Sequence, residues 1–502
     1  MSAPSEEKES DSPLTESVVS SAAEPTHIQR LTSFLGRFGV ETNGIGPVPD
    51  ELRVDGRTYQ LFTLWFTSVM NITSLVGGAT GPVVFKLSFK TTVVTLVITN
   101  ALSLILPAYF AIFGPKLGTR SMVQARFSWG AYGVILPSVL SVISSIGILV
   151  ITFLIAAQLL ARATGNLSST DGIVINALIT LVVSFCGYRV IHWFTALAWI
   201  PSVIAFVVML IVGGRHLGSA ISADEHMYPP PTVATILSYA AVISAGNTQW
   251  CTVASDYGVY HDKDGSSAMI FIWTFLGTYF PTILAAALGA AFVVAASDVP
   301  SWRTGSEDGN NFGGLVVAIL EPCGRFGTFL VVIMVLAITG LNSATMYAFG
   351  NSMMNISSIF AKVPRYVYAI VATAVVIPLA IVAQAHFYSA LVSLTNTTGY
   401  WSASFSAIIF VEHILFRRRD FSRYKLADWN NPTKLPPGLA ALLSFCMSFA
   451  LLVPCMRQTW YVGAIAKHGT GDIGVIVGFF GTCVLYGPLR AVEIRMFPGH
   501  DS

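Results

Sequence analysis

The sequence predicts an all-α polytopic membrane protein of about twelve transmembrane helices, and three observations carry that expectation. Of its 502 residues 54% are hydrophobic and only 11% charged, with mean hydropathy +0.67, whereas soluble domains carry roughly 25% charged residues. Between Tyr59 and Arg495 apolar runs recur with short polar joints. Each is about 20 residues long, enough to cross a bilayer core. The first and sixth runs are both interrupted by polar and glycine residues. Paired interruptions in two halves of a chain point to an inverted repeat with a solute site near the bilayer midplane.

Taken in order, residues 1–58 hold ten of the 26 acidic residues. Their Ser/Glu/Pro-rich start, Met1 to Pro25, cannot bury a core, so a largely disordered cytosolic tail is expected. No apolar stretch follows a basic start, so no cleaved signal peptide is expected. The transmembrane domain is read as 59–496, with spans at 59–85, 91–113, 130–162, 171–190, 193–213, 232–258, 268–297, 325–358, 364–383, 387–416, 436–456 and 474–496. A first five-span repeat covers about 59–213, a second about 232–416, and two extra helices about 436–496. Residues 497–502 form a second cytosolic tail.

The joint after span 10 carries Arg417, Arg418, Arg419, Arg423, Lys425 and Lys434, the densest basic cluster in the chain. Basic loops face the cytoplasm, and an even number of spans then places both termini there. Joints 214–231 and 298–324 become long outward loops. In one of the shorter outward joints, Asn166-Leu167-Ser168 is a possible glycan acceptor.

Span 1 runs apolar from Trp65 to Met70, then reads Asn71-Ile72-Thr73-Ser74 and Gly77-Gly78-Ala79-Thr80-Gly81-Pro82. Span 6 is interrupted over Ala245-Gly246-Asn247-Thr248-Gln249-Trp250. Irregular or polar backbone is tolerated at membrane depth only where it lines a cavity or is buried in protein. Small residues also let helices pack closely, but a second break in the corresponding span favours a site. Trp250 offers a flat face on which an aromatic solute can stack. Its neighbour Gln249 carries a donor and an acceptor together. Trp65 and Trp401 fit the commoner role of interfacial or packing tryptophans. In span 8, Asn342, Ser343 and Thr345 make a polar island that serves equally as interhelical glue or solute contact. Ser141, Ser145 and Thr152 share one face of span 3, with Ser144 beside them. Hydroxyls so spaced can be satisfied on their own helix. Asp256, six residues after Trp250, is the ionisable group to test for proton coupling. Glu412, His413 and Glu493 close their spans near water.

Other chemistries are excluded. The six cysteines show no metal spacing, and at least four lie in apolar runs, so neither a zinc site nor a disulfide framework is expected. No phosphate-binding glycine loop and no basic patch interleaved with aromatics is present. No clustered nucleophile and base supports an embedded enzyme. No cofactor or nucleic acid is implied; the partners are a small solute and the lipid bilayer, and oligomeric state is not legible.

From about residue 44 to 496 the chain resembles the fungal purine–cytosine permeases of the nucleobase–cation symport family. The resemblance rests on Met70-Asn71-Ile72-Thr73, Gly114-Pro115-Lys116-Leu117-Gly118 with Arg126-Phe127-Ser128, and Ala254-Ser255-Asp256-Tyr257 with Val259-Tyr260. It continues through Gly399-Tyr400-Trp401, Val411-Glu412-His413, Leu426-Ala427-Asp428-Trp429-Asn430-Asn431-Pro432, Gln458-Thr459-Trp460-Tyr461-Val462-Gly463, Gly471-Asp472-Ile473-Gly474 and Pro488-Leu489-Arg490 with Glu493. It implies the leucine-transporter-type inverted 5+5 repeat plus two C-terminal helices, and proton symport at the plasma membrane. The expected solute contacts are Trp250, Gln249, Asn342 and Thr345, with Ile148 and Thr152 on span 3 and Asn71 to Ser74 closing the site. Family members that take cytosine and purines usually carry Trp and Asn where this chain has Ile148 and Thr152. They show Asn-Asn-x-Pro-Asn where it has Leu341-Asn342-Ser343-Ala344-Thr345. A missing partner leaves the polar edge of the usual base unpaired, at about 1–3 kcal/mol per group. The expected function is uptake of a nucleobase or related nitrogen heterocycle. A pyridoxine-type ring or a specialised metabolite is the same-family alternative, and a non-transporting nutrient sensor the alternative of a different class.

Overall fold

The computed structural model describes residues 45–185, 187–307 and 310–500. The expected disorder of the tail's first 44 residues, and Cys186, lie outside them. Among the described residues the chain is helical, with two isolated bridge pairs and no sheet. Twelve apolar segments follow one another. Span 1 is two helices, 1a (Gln60–Val69) and 1b (Ile72–Phe85), bent by 53°. Spans 2 to 5 are Phe89–Leu117, Ile135–Thr164, Ser169–Phe185 and Gly187–Gly213. Spans 6 to 10 are Val233–Gln249, Ser267–Ala296, Arg325–Ile356, Arg365–Ala383 and Phe387–Val411. Spans 11 and 12 are Leu439–Leu452 and Gly474–Met496.

The packing pairs reveal the repeat. Span 1b packs on span 7 and span 6 on span 2; span 4 packs on span 8 and span 9 on span 3; span 5 packs on span 8 and span 10 on span 3. Shifting every member by five exchanges the contacts of each couple, and span 3 against span 8 maps onto itself. Two five-span units therefore interlock, and spans 11 and 12 pack together and against span 10.

Glycine sets the closest approach. A Cβ on Gly78 of span 1b would lie 1.8 Å from the Ala286 carbonyl oxygen of span 7, and one on Gly289 would lie 2.0 Å from that of Leu75. Gly78 and Gly81 are thus helical packing surface, and the break of span 1 sits earlier, at Met70 and Asn71. Asn71 is extended (φ −145°, ψ 175°) and caps span 1b. Its Oδ1 accepts from Thr73 N at 2.9 Å and its Nδ2 donates to Ser68 O at 2.8 Å. Ser74 Oγ donates across the break to Val69 O at 2.5 Å. The freed backbone is satisfied locally, as an intramembrane break requires.

In span 6 the break comes later than the sequence suggests. The helix runs unbroken through Ala245, Gly246 and Asn247 to Gln249, and yields to short 3₁₀ turns over Trp250–Thr252 and Ala254–Tyr257. Asn247 and Thr248 are satisfied without breaking the helix. Thr248 bonds the carbonyls of Ser244 and Ala245, and Asn247 Nδ2 donates to Asn100 Oδ1 and Ser103 Oγ of span 2, both at 2.8 Å.

One end of the bundle gathers both termini. The lead-in to span 1 bonds the 2–3 joint (Val48 N to Gly118 O, 2.8 Å) and the 6–7 joint (Asp262 N to Asp55 O, 3.1 Å). His500 near the chain's end bonds Leu435 O of the 10–11 joint at 3.1 Å. At the opposite, far end the 298–324 stretch is a helical hairpin rather than an open loop. Helices Pro300–Gly305 and Phe312–Leu320 bury Trp302, Phe312 and Leu315, and Gly313 lies close against Gln158 of span 3.

Candidate functional site

The two breaks meet in an aromatic cluster. Trp250 packs edge-on against Trp65 of span 1a, ring centres 5.4 Å apart at 81°, and Tyr257 packs on Trp65 at 5.3 Å and 68°. Trp65 is fully buried and Trp250 half-buried. Trp65 therefore belongs to the site's foundation and not to a membrane interface. Its place five residues before the first break, as Trp250 flanks the second, was the signal that could have found it. Trp401 is also buried, and its Nε1–H donates to Ser144 Oγ of span 3 at 2.9 Å.

The hydroxyls of span 3 divide. Ser145 bonds Ser141 O on its own helix, whereas Ser141 Oγ pairs with Ser352 Oγ of span 8 at 2.9 Å. Thr152 is buried, with Oγ1 on the carbonyls of Ile148 and Leu149, and Thr345 Oγ1 is likewise bonded to Leu341 O at 2.9 Å. Ile148 is half-buried and aliphatic. Asn71 and Ser74 spend their polar atoms on the span 1 break. Gln249 is half-buried and its amide forms no hydrogen bond among the described residues.

Asn342 is fully buried, and neither amide atom has a partner among the described residues. It stands nine residues before Asn351, which reaches Asp256 of span 6. Nine residues are about two and a half helical turns, so Asn342 points away from span 6. Its neighbours Thr339 and Ser343 bond Asn176 and Thr180 of span 4. The face that turns with Asn351 carries half-buried Ala344 and Ala348, which sequence reasoning missed because alanine has no chemistry to notice.

Beneath Trp250 the termini end is sealed. Asp256 accepts from Ser121 N of the 2–3 joint at 2.7 Å, and Ser121 Oγ meets Ser255 Oγ at 2.7 Å. Tyr347 Oη of span 8 accepts from Arg120 Nη2 at 2.8 Å and from Arg365 Nη1 at 3.2 Å. Arg126 Nε donates to Asn355 Oδ1 at 2.9 Å. The far end, by contrast, holds a cavity of about 420 Å³ over the end of span 1b, and a second of about 840 Å³ beside the 7–8 hairpin. Neither is lined by Trp250, Gln249 or Asn342. The arrangement is a bundle closed at one end beneath an aromatic platform. Among the described residues no group of three metal-ligating side chains occurs, and the five described cysteines are free.

Three comparisons with known proteins bear on this geometry. Residues 47–463 match a family model described as permease for cytosine/purines, uracil, thiamine, allantoin. The purine-cytosine permease fcyB of Emericella nidulans is 32% identical over 478 residues, 94% of this chain and 91% of that protein. The vitamin B6 transporter of Saccharomyces cerevisiae is 25% identical, covering 93% and 90%. Among solved structures, a nucleobase-cation-symport-1 family transporter in a closed conformation with bromovinylhydantoin bound superposes with TM-score 0.71. It is 18% identical and covers 91% of this chain and 97% of the other. That likeness shows the fold, an inverted repeat of broken helices.

Proposed function

Because the chain belongs to the family of permeases for cytosine and purines, uracil, thiamine and allantoin, we propose that it is a symporter for a small, flat nitrogen heterocycle. The observation that carries this reading is the Trp65–Trp250–Tyr257 cluster at the meeting point of the two broken spans. Trp250 stacks the ring, Gln249 reads one polar edge, and the apolar wall comes from Ile148, Ala344 and Ala348. Asn342 and Thr345 lie on span 8 behind that wall, and Asn71, Ser74 and Thr152 shape it through their own helices. The termini end faces the cytoplasm of a plasma-membrane protein, a proton is the coupling ion, and Asp256 at the seal is its candidate carrier.

A second reading has its own support. Thr152 and Thr345 keep their hydroxyls on their own helices, so the pocket offers few groups to a base rich in donors and acceptors. A pyridine-type ring such as pyridoxine needs fewer. Competition uptake in cells lacking their own base and vitamin B6 carriers decides between them, using cytosine, adenine, hypoxanthine, uracil, allantoin and pyridoxine. Trp250→Ala is expected to reach the membrane and lose at least about tenfold in apparent affinity, the value of one stacked ring. Unchanged affinity removes the stacking role. Asp256→Asn should abolish accumulation driven by a proton gradient while leaving exchange; an intact gradient response removes its coupling role. No uptake of any ring supports a sensor instead.

A further inference from the structure

The far-end cavity is not part of the Trp250 platform, and it has the features of a site. Its volume of about 420 Å³ falls in the range of roughly 300–1,000 Å³ found for small-molecule sites. Its walls come from span 1b, span 7, the 7–8 hairpin and the start of span 10, represented by Lys86, Ser297, Arg303, Phe312 and Tyr388. Tyr388 is only 7% exposed, yet its hydroxyl forms no hydrogen bond among the described residues. The ring is buried, while the hydroxyl oxygen is not among the described polar atoms shut off from solvent. Here what remains open to it is the cavity that Tyr388 lines. The ring cannot easily turn aside, being packed edge-on against Phe387 at 5.0 Å and 70°.

Two cations share the cavity. Lys86 closes span 1b in the left-handed region (φ 54°), which a side-chain-bearing residue rarely adopts. It forms no ion pair among the described residues. Arg303 of the 7–8 hairpin lines the same cavity and is already engaged by another group. An ammonium is a pure donor, and the unpartnered tyrosine hydroxyl can donate as well. Such a set complements a ligand rich in acceptors. Phe312 and the Tyr388 ring add flat surface.

We propose that this cavity is a second, outer solute site that takes planar rings bearing carbonyl oxygens before they reach Trp250. The inference rests on the carrier reading above, and it adds a selectivity that the central site lacks. The donors favour oxo-substituted rings at the entrance, whereas the platform below stacks the ring and reads one polar edge through Gln249.

The test is equilibrium binding of radiolabelled uracil and xanthine to the full chain in lipid nanodiscs, with stoichiometry as the readout. Two molecules of at least one probe are expected per chain, and one after either Trp250→Ala or Tyr388→Phe. Lys86→Gln, at the exposed end of span 1b, should weaken the outer site about tenfold, the loss of one charge-assisted hydrogen bond. A single site that Trp250→Ala abolishes and Tyr388→Phe leaves intact overturns the proposal. So does a failure of the unaltered protein to bind either probe. The uptake panel decides the carrier reading independently, because a protein that transports other rings can still fail here.

Discussion

Trp65 and Trp250 occupy equivalent places beside the two breaks, yet their surroundings assign them different work. Trp250 keeps an exposed part and can offer a face; Trp65 is enclosed, with its ring steeply inclined to those of Trp250 and Tyr257. An edge-to-face pair contributes about 0.5–1.5 kcal/mol beyond area burial, so Trp65 holds the platform's tilt. Trp65→Phe should therefore preserve expression and raise apparent KM several-fold with little change in maximal rate. A normal KM would show that Trp250 is held without it. This division was half legible. The sequence marks Trp250 through its polar neighbours, but only the fold shows that Trp65 lies within 5.4 Å of it. Asn342 teaches the converse. Its polarity in an apolar run drew attention, while the direction of its side chain depends on which neighbours surround span 8. Ala344 and Ala348 line the face opposite, and nothing in their residue type announces it.

At the scale of single helices, the sequence identified which spans break and began the span 1 interruption at Asn71, but set the span 6 break several residues early. Polar and glycine residues were read as interruptions, although each can be accommodated in a helix if a neighbour supplies a partner or needs the space. Asn247 finds Asn100, and Gly78 admits the backbone of span 7. Gly77 and Gly78 separate these roles cleanly. A Cβ at Gly77 meets nothing within 4 Å, whereas one at Gly78 would overlap the Ala286 carbonyl. Gly77→Ala is therefore expected to be neutral or slightly stabilising. Gly78→Ala should force spans 1b and 7 apart, costing at least the roughly 1–3 kcal/mol of an overpacked core. Thermal unfolding of the two purified variants, followed by size-exclusion chromatography, makes the comparison. Equal melting temperatures would mean that the two spans are not in backbone contact.

Across the whole molecule, the family motifs that leave the aromatic platform unexplained converge on its two ends, and the ends differ in electrostatics. At the termini end Glu412 of span 10 lies between Arg417 and Arg490, Arg490 also holds Glu493, and all four are buried. Each of these four charges has an opposite. At the far end Asp472, in the joint between spans 11 and 12, is equally buried but receives only neutral donors. These are Tyr400 Oη of span 10, Gln458 Nε2 at 3.3 Å, Arg457 N at 2.8 Å and Gly474 N at 2.9 Å, while Asp472 N donates to Ser238 Oγ of span 6 at 3.0 Å. Burial holds the Asp472 carboxyl above its ordinary value of 3.8 in spite of these donors. The folded chain then binds this proton more tightly than the unfolded chain. The linked stability is full below the unfolded value and is lost as pH rises through the folded one. Melting temperature in detergent should accordingly fall as pH is raised from about 4 toward neutrality. Asp472→Asn, which cannot ionise, should flatten that part of the slope even if it lowers stability overall. Parallel slopes for the two proteins would assign the acid-side dependence to other groups. Such a joint ties the first half of span 6 to span 10 and to the two helices outside the repeat. Its proton thus bears on the far end as a unit.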